Sequence, residues 1–106
     1  MTTNEFRKHV AWLRKNFPID VPVIVRRYPS KKNHGITHFD GRKFYIRIDS
    51  EGDDATQLET LLHEYSHALT INDAYNHKEP WAQNYSKIYT AWESLDGKTT
   101  TTLQKF

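Results

Sequence analysis

His63, Glu64 and His67 stand in one short stretch, His-Glu-Tyr-Ser-His, with two imidazoles four residues apart and a carboxylate beside the first. On a helix, residues i and i+4 are neighbours on one face, so both rings reach a single divalent cation. Neutral imidazole is a zinc ligand. A carboxylate one residue off the ligand stripe is placed to take a proton from a water that such an ion polarises. The chemistry implied is metal-assisted hydrolysis, with Zn2+ as cofactor, His63 and His67 as ligands and Glu64 as general base. The bland alternative is a pair of histidines on a solvated helix face.

Two imidazoles do not complete a catalytic zinc site, which uses three protein ligands and one open position. His77, ten residues after His67 and before a further helix, is the first candidate for the third ligand. Asp73 stands six residues after His67, where a long metzincin-type motif places its third ligand, although Thr70 replaces the glycine that eases the turn there. Glu79 and Glu93 are the other rivals. Donors for a developing oxyanion are sought among Tyr75, Tyr85, His34 and His38.

These groups need elements to position them. Leu58, Leu61, Leu62, Tyr65, Ala68 and Leu69 fall within an arc of about 120° on a helix over residues 55–71. His63, Glu64 and His67 occupy roughly a further 100° almost opposite, so one side is buried while the other presents the motif. Phe6, Val10, Leu13 and Phe17 predict a helix over residues 3–17, with Thr2 and Glu5 as a capping box and Pro18 as its stop. Residues 22–28 read as a strand. Residues 36–39 and 43–49 read as a hairpin around Asp40-Gly41, in which Phe44, Ile46 and Ile48 face inward. A last helix runs from Pro80 to about Leu95 through Trp81, Tyr85, Ile88 and Trp92. The expectation is an α+β domain with a small, mainly antiparallel three-stranded sheet.

The 106 residues suit one domain, 1–106, with a polar tail from about residue 96. Zero Cys excludes thiol catalysis and Cys-ligated zinc, and it suits a reducing compartment. Glu5, Arg7, Lys8, Arg14 and Lys15 leave no apolar leader near the start, and no run approaches a membrane span. A cytoplasmic setting is expected. A net charge of +2 is too weak by itself to argue for nucleic acid.

His63-Glu64-x-x-His67-Ala68-Leu69, followed after a loop by His77-x-x-x-Trp81, resembles the SprT-like zinc metallopeptidases, the family that includes the Spartan proteases, which cut proteins crosslinked to DNA. That family pairs an H-E-x-x-H helix with a later H-G-x-x-[WF] segment giving the third ligand. Lys78 stands here at the glycine of the second motif. The hairpin over residues 35–49 is similar to the strands that precede the family's active-site helix. The resemblance covers about residues 20–92. It implies a minimal zincin fold, zinc held by His63, His67 and His77, Glu64 as base, and a protein or peptide substrate. The family's zinc ribbon and appended DNA-binding module have no counterpart here.

Arg26, Arg27, Lys31, Lys32, Arg42, Lys43 and Arg47 cluster around the strands. They read first as a solvated sheet face and second as a phosphate-facing patch. Trp81, Tyr85, Tyr89 and Trp92 read first as core packing and second as a base-stacking platform. If 43–49 is an edge strand beside the metal cleft, an extended peptide adds to it as a further strand; the equal alternative is that this edge is covered by residues 22–28 or by the C-terminal tail. The alternative function is a non-catalytic zincin-fold module that binds protein or nucleic acid. A third is a peptidase with one dedicated target, a size that suits a virus or mobile element.

Overall fold

The computed structural model describes residues 1–30, 32–74 and 81–96. Within them the order is α1 (Thr3–Asn16), β1 (Val23–Tyr28), β2 (Gly35–Phe39), β3 (Phe44–Asp49), α2 (Asp54–Ala74) and α3 (Trp81–Asp96), an α+β fold. Thr2 caps α1 as expected, while Glu5 bonds the Thr2 hydroxyl in place of its backbone amide. The Glu5 amide donates to Thr2 Oγ1 at 3.0 Å, and the Thr2 hydroxyl donates to the Glu5 carboxylate at 3.1 Å. Phe6, Val10 and Leu13 form the buried stripe of this helix.

Gly41 takes a φ of 95° in the hairpin turn. There Asp40 Oδ1 accepts from the amides of Arg42 and Lys43 at 2.8 and 2.9 Å. The turn brings Phe39 opposite Phe44, and β2 pairs antiparallel with β3. The other side of β3 pairs parallel with β1, from Val23 opposite Phe44 to Tyr28 opposite Asp49. The strand order is therefore β1-β3-β2 and the sheet is mixed. Of the two readings of residues 43–49, an edge strand or a strand covered by residues 22–28, the structure shows the second: β3 is the central strand. A hairpin uses only one side of each arm, and β1 takes the free side of β3. The edge that runs against α2 is β2.

Asp53 caps α2, accepting from the Thr56 amide through Oδ1 at 2.7 Å and from the Gln57 amide through its carbonyl at 2.9 Å. The helix runs on to Ala74, past its expected end at residue 71. Leu61, Leu62, Tyr65, Ala68 and Leu69 pack with Phe44, Ile46 and Ile48, with the α1 stripe, and with Ile88 and Tyr89 of α3 in one core. Arg27 leaves the other cations of its strand. It crosses to the core side, lies over the Phe6 ring, and donates to Gln57 Oε1 at 2.9 Å. No helix among the described residues is long and apolar enough to cross a membrane.

Tyr65 ties the core to the loop after α1, its hydroxyl donating to the Phe17 carbonyl at 2.6 Å. Burial pushes this phenol up to about 12, against an opposing pull from Arg14. The native state thus holds the proton more tightly than an unfolded chain, whose tyrosines titrate near 10. Below about pH 10 both states are neutral at Tyr65 and its contribution is intact. Between about pH 10 and the native value of about 12 only the unfolded state ionises, and roughly 2–3 kcal/mol is lost. Urea unfolding from pH 8 to 12 is expected to show this fall, and Tyr65→Phe to reduce it, leaving the part owed to Tyr89, whose phenol burial also pushes up to about 12. An unchanged slope in Tyr65→Phe would contradict the assignment.

Candidate metal centre

The face of α2 opposite its leucines turns toward a gap between β2 and α3. His63 and His67, one turn apart on this unbroken helix, direct their Nε2 atoms at each other across 3.2 Å. Two nitrogens each about 2.0–2.1 Å from one tetrahedral zinc lie roughly 3.3–3.4 Å apart, so the pair already has the spacing of two ligands of a single ion. Glu64 Oε2 lies 3.9 Å from His63 Nε2. The ligand atoms of His63, Glu64 and His67 all fall within 4.8 Å of one another. Burial holds His67 below the ordinary imidazole value, with Glu64 opposing the shift and His63 adding to it. Neutral imidazole is the form that ligates a metal.

Glu64 is nearly buried while the His63 side chain is 44% exposed, so solvent reaches the imidazole beside a shielded carboxylate. The carboxylate is held from the sheet: the Thr37 hydroxyl lies 2.6 Å from Oε1 and 2.9 Å from the Glu64 carbonyl. One hydroxyl proton serves one of these acceptors at a time. Gly35 permits the approach. A Cβ there would stand 2.5 Å from Thr60 Cγ2 and 2.9 Å from Glu64 Cγ, so any other residue would displace the Thr60 and Glu64 side chains.

Trp81, at the start of α3, closes one side. Its ring stacks on His67 at 5.1 Å and 23°, meets His63 edge-on at 4.9 Å, and its indole N–H donates to the His63 carbonyl at 3.4 Å. Tyr85 stacks on Trp81 at 5.2 Å. The cleft beside the motif, about 320 Å³, is lined by Asn33, His34 and Gly35 on one side and by Glu59, Thr60, His63, Glu64 and Tyr85 on the other. Burial, and secondarily Glu59, keep the Tyr85 hydroxyl above the ordinary phenol value, so it is a donor at neutral pH.

The sequence-predicted residues therefore separate. His63, Glu64, His67, Tyr85 and His34 share the cleft. His38 stacks instead on Tyr45, on the other face of the sheet. His77, Tyr75 and Glu79 lie outside the described residues, as does the side chain of Asp73. Position 73 belongs to the last turn of α2. Six residues along a continuous helix rotate it about 240° from position 67 and carry it about 9 Å along the axis, away from the ligand face. Glu93 is fully buried on α3 beside Tyr89, whose phenol its carboxylate helps to hold protonated, and it does not join the ligand cluster.

Thr37 and Gly35 were not legible as site residues, because a strand-to-helix contact leaves no trace in local spacing. Trp81 carried one signal, its place at the end of the second motif, but it was read as core. No family model matches the chain, and no curated protein or solved structure matches it.

Proposed function

We propose that this chain is a zinc-dependent metallopeptidase of the SprT-like kind, hydrolysing peptide bonds with Glu64 as general base. The observation that carries this reading is the convergence of His63 and His67 Nε2 at 3.2 Å beside the carboxylate of Glu64, at the wall of an open cleft. Two imidazoles and a near carboxylate are a donor set suited to zinc. His63 and His67 are the ligands in this reading, supported by that geometry, and His77 is the third ligand implied by the sequence motif. Zinc bound there would lower the pKa of a water toward 7 and polarise a carbonyl oxygen.

The chain's own residues do the rest. Glu64, oriented by Thr37, accepts a proton from the attacking water and passes it to the leaving amine. The Tyr85 hydroxyl, held protonated at the cleft wall, donates to the oxygen on which charge develops. Trp81 fixes the two imidazoles by packing on both rings. An extended peptide fits the outer side of β2, the sheet edge beside the cleft, by adding as a further strand. A cytoplasmic setting belongs to the same proposal and rests on the absence of Cys.

The test is cleavage of an unfolded model protein by the wild type, repeated after chelation and after zinc is restored. Activity should vanish and return with the metal. Zinc-loaded protein that cleaves nothing across a library of unfolded proteins would exclude a general peptidase. That result would favour the non-catalytic or single-target module, for which the paired His63 and His67 serve one dedicated partner or the fold alone.

A further inference from the structure

Glu59 lies one turn before His63 on α2 and lines the cleft from the same helix face, yet the chemistry proposed above gives it no part. Its side chain is exposed and enters no ion pair among the described residues. As the sixth residue of α2 it stands past the first turn, the part of a helix where the dipole favours a carboxylate. It is also outside the cluster of His63, Glu64 and His67, so a second metal ion would find one lone carboxylate there.

The surroundings leave this charge unanswered. The chain as a whole carries +2, but no Lys or Arg lines the cleft. Asn33 and His34 form the facing wall, and Glu64 sets a second carboxylate behind Glu59. The field of Glu59 reaches α3, where it adds to the burial that keeps the Tyr85 and Tyr89 hydroxyls above the ordinary phenol value. A concave wall charged with one sign concentrates ligands of the other.

We propose that Glu59 selects a basic side chain in the substrate, a Lys or Arg within two residues of the cleaved bond on the side toward the start of α2. Four residues of helix separate Glu59 from His63 by about 6 Å along the axis. An extended peptide advances about 3.3 Å per residue, so the side chain that meets Glu59 belongs to one of the two residues next to the cleaved bond. The long aliphatic stem of Lys or Arg lies along the cleft wall and brings its charged head to the carboxylate. An acidic side chain there would meet Glu59 and Glu64 together, and a neutral one would leave Glu59 without a partner. The inference rests on the peptidase reading, whose substrate it narrows to a class.

The experiment uses the full chain and labelled peptides of one neutral sequence, with Lys, Gln or Glu placed at a single position that is moved along the peptide. Binding is read by fluorescence anisotropy in the zinc-loaded Glu64→Gln variant, which keeps Glu59. Cleavage is read in the wild type, with the cut bond located by mass spectrometry. At low salt the Lys peptide should bind at least about fivefold more tightly than the Glu peptide, with the gap closing as salt rises. In the wild type the preference should appear in KM more than in kcat. Glu59→Gln should bring the three peptides together, and Glu59→Lys should reverse their order, both with unchanged zinc content and melting temperature. Equal binding of the Lys and Glu peptides, or a preference that survives Glu59→Gln, would overturn the proposal. Efficient cleavage of all three peptides alike would also overturn it while sustaining the peptidase. Ordered binding that follows Glu59, with no peptide cleaved, would sustain the basic-side-chain subsite and remove the peptidase reading instead.

Discussion

His63→Ala and His67→Ala are each expected to lose stoichiometric zinc, the largest change in metal binding any single substitution should cause. Removing even a residue that only orients a ligand costs about 10–100-fold in metal affinity, and removal of a ligand should exceed that. The two substitutions should behave alike, because the Nε2 atoms face one point from adjacent turns. Elemental analysis of the purified variants gives the stoichiometry. Tryptophan fluorescence gives a titration, since the Trp81 ring touches both imidazoles. The same measurement ranks the third ligand. His77→Ala should weaken binding strongly, whereas Asp73→Asn, Glu79→Gln and Glu93→Gln should bind nearly as wild type does. A larger loss from Asp73→Asn would require α2 to break before its last turn. Full zinc in His63→Ala would end the assignment of the site.

The motif was legible because it is local. Four-residue spacing on a helix with a leucine face fixes where two imidazoles go, whatever the rest of the chain does. The hairpin was legible for the same reason, its Asp-Gly turn and alternating strand being short-range features. Strand order was not. Nothing in the composition of residues 43–49 tells whether a third strand comes to lie beside them, and β1 does so from about twenty residues away in sequence.

The last helix shows a second kind of failure. Its spacing marks Trp81, Tyr85, Ile88 and Trp92 as the buried stripe; Ile88 is fully buried and Tyr89 nearly so, but Asn84 and Glu93 share that inner face where aromatic residues were expected. Two polar residues on the inner face hide that stripe from any hydrophobic count. Asn84 is accommodated by donating to Thr70 Oγ1 at 3.1 Å. Tyr85 and Trp92 are left partly buried at the edge of the core, and Trp81 becomes a wall of the candidate metal centre.

Glu64→Gln is expected to bind zinc and fold like the wild type while peptide cleavage falls about 10²–10⁴-fold, the usual worth of a placed proton acceptor. The substitution is a narrow one. Glutamine keeps the length of the side chain and one acceptor oxygen, so the hydrogen bond from the Thr37 hydroxyl survives. Glu64 stands one residue off the stripe shared by His63 and His67, which is why its loss should spare the metal. Zinc content and melting temperature serve as controls, and cleavage of an unfolded model protein is the readout. A fall in zinc along with activity would make Glu64 a ligand and leave the base to another residue. Cleavage at the wild-type rate would assign the activity to a contaminant or to a different base. Only retained zinc with lost cleavage fits a carboxylate that is held by a strand, shielded from bulk solvent and aimed beside the ligands.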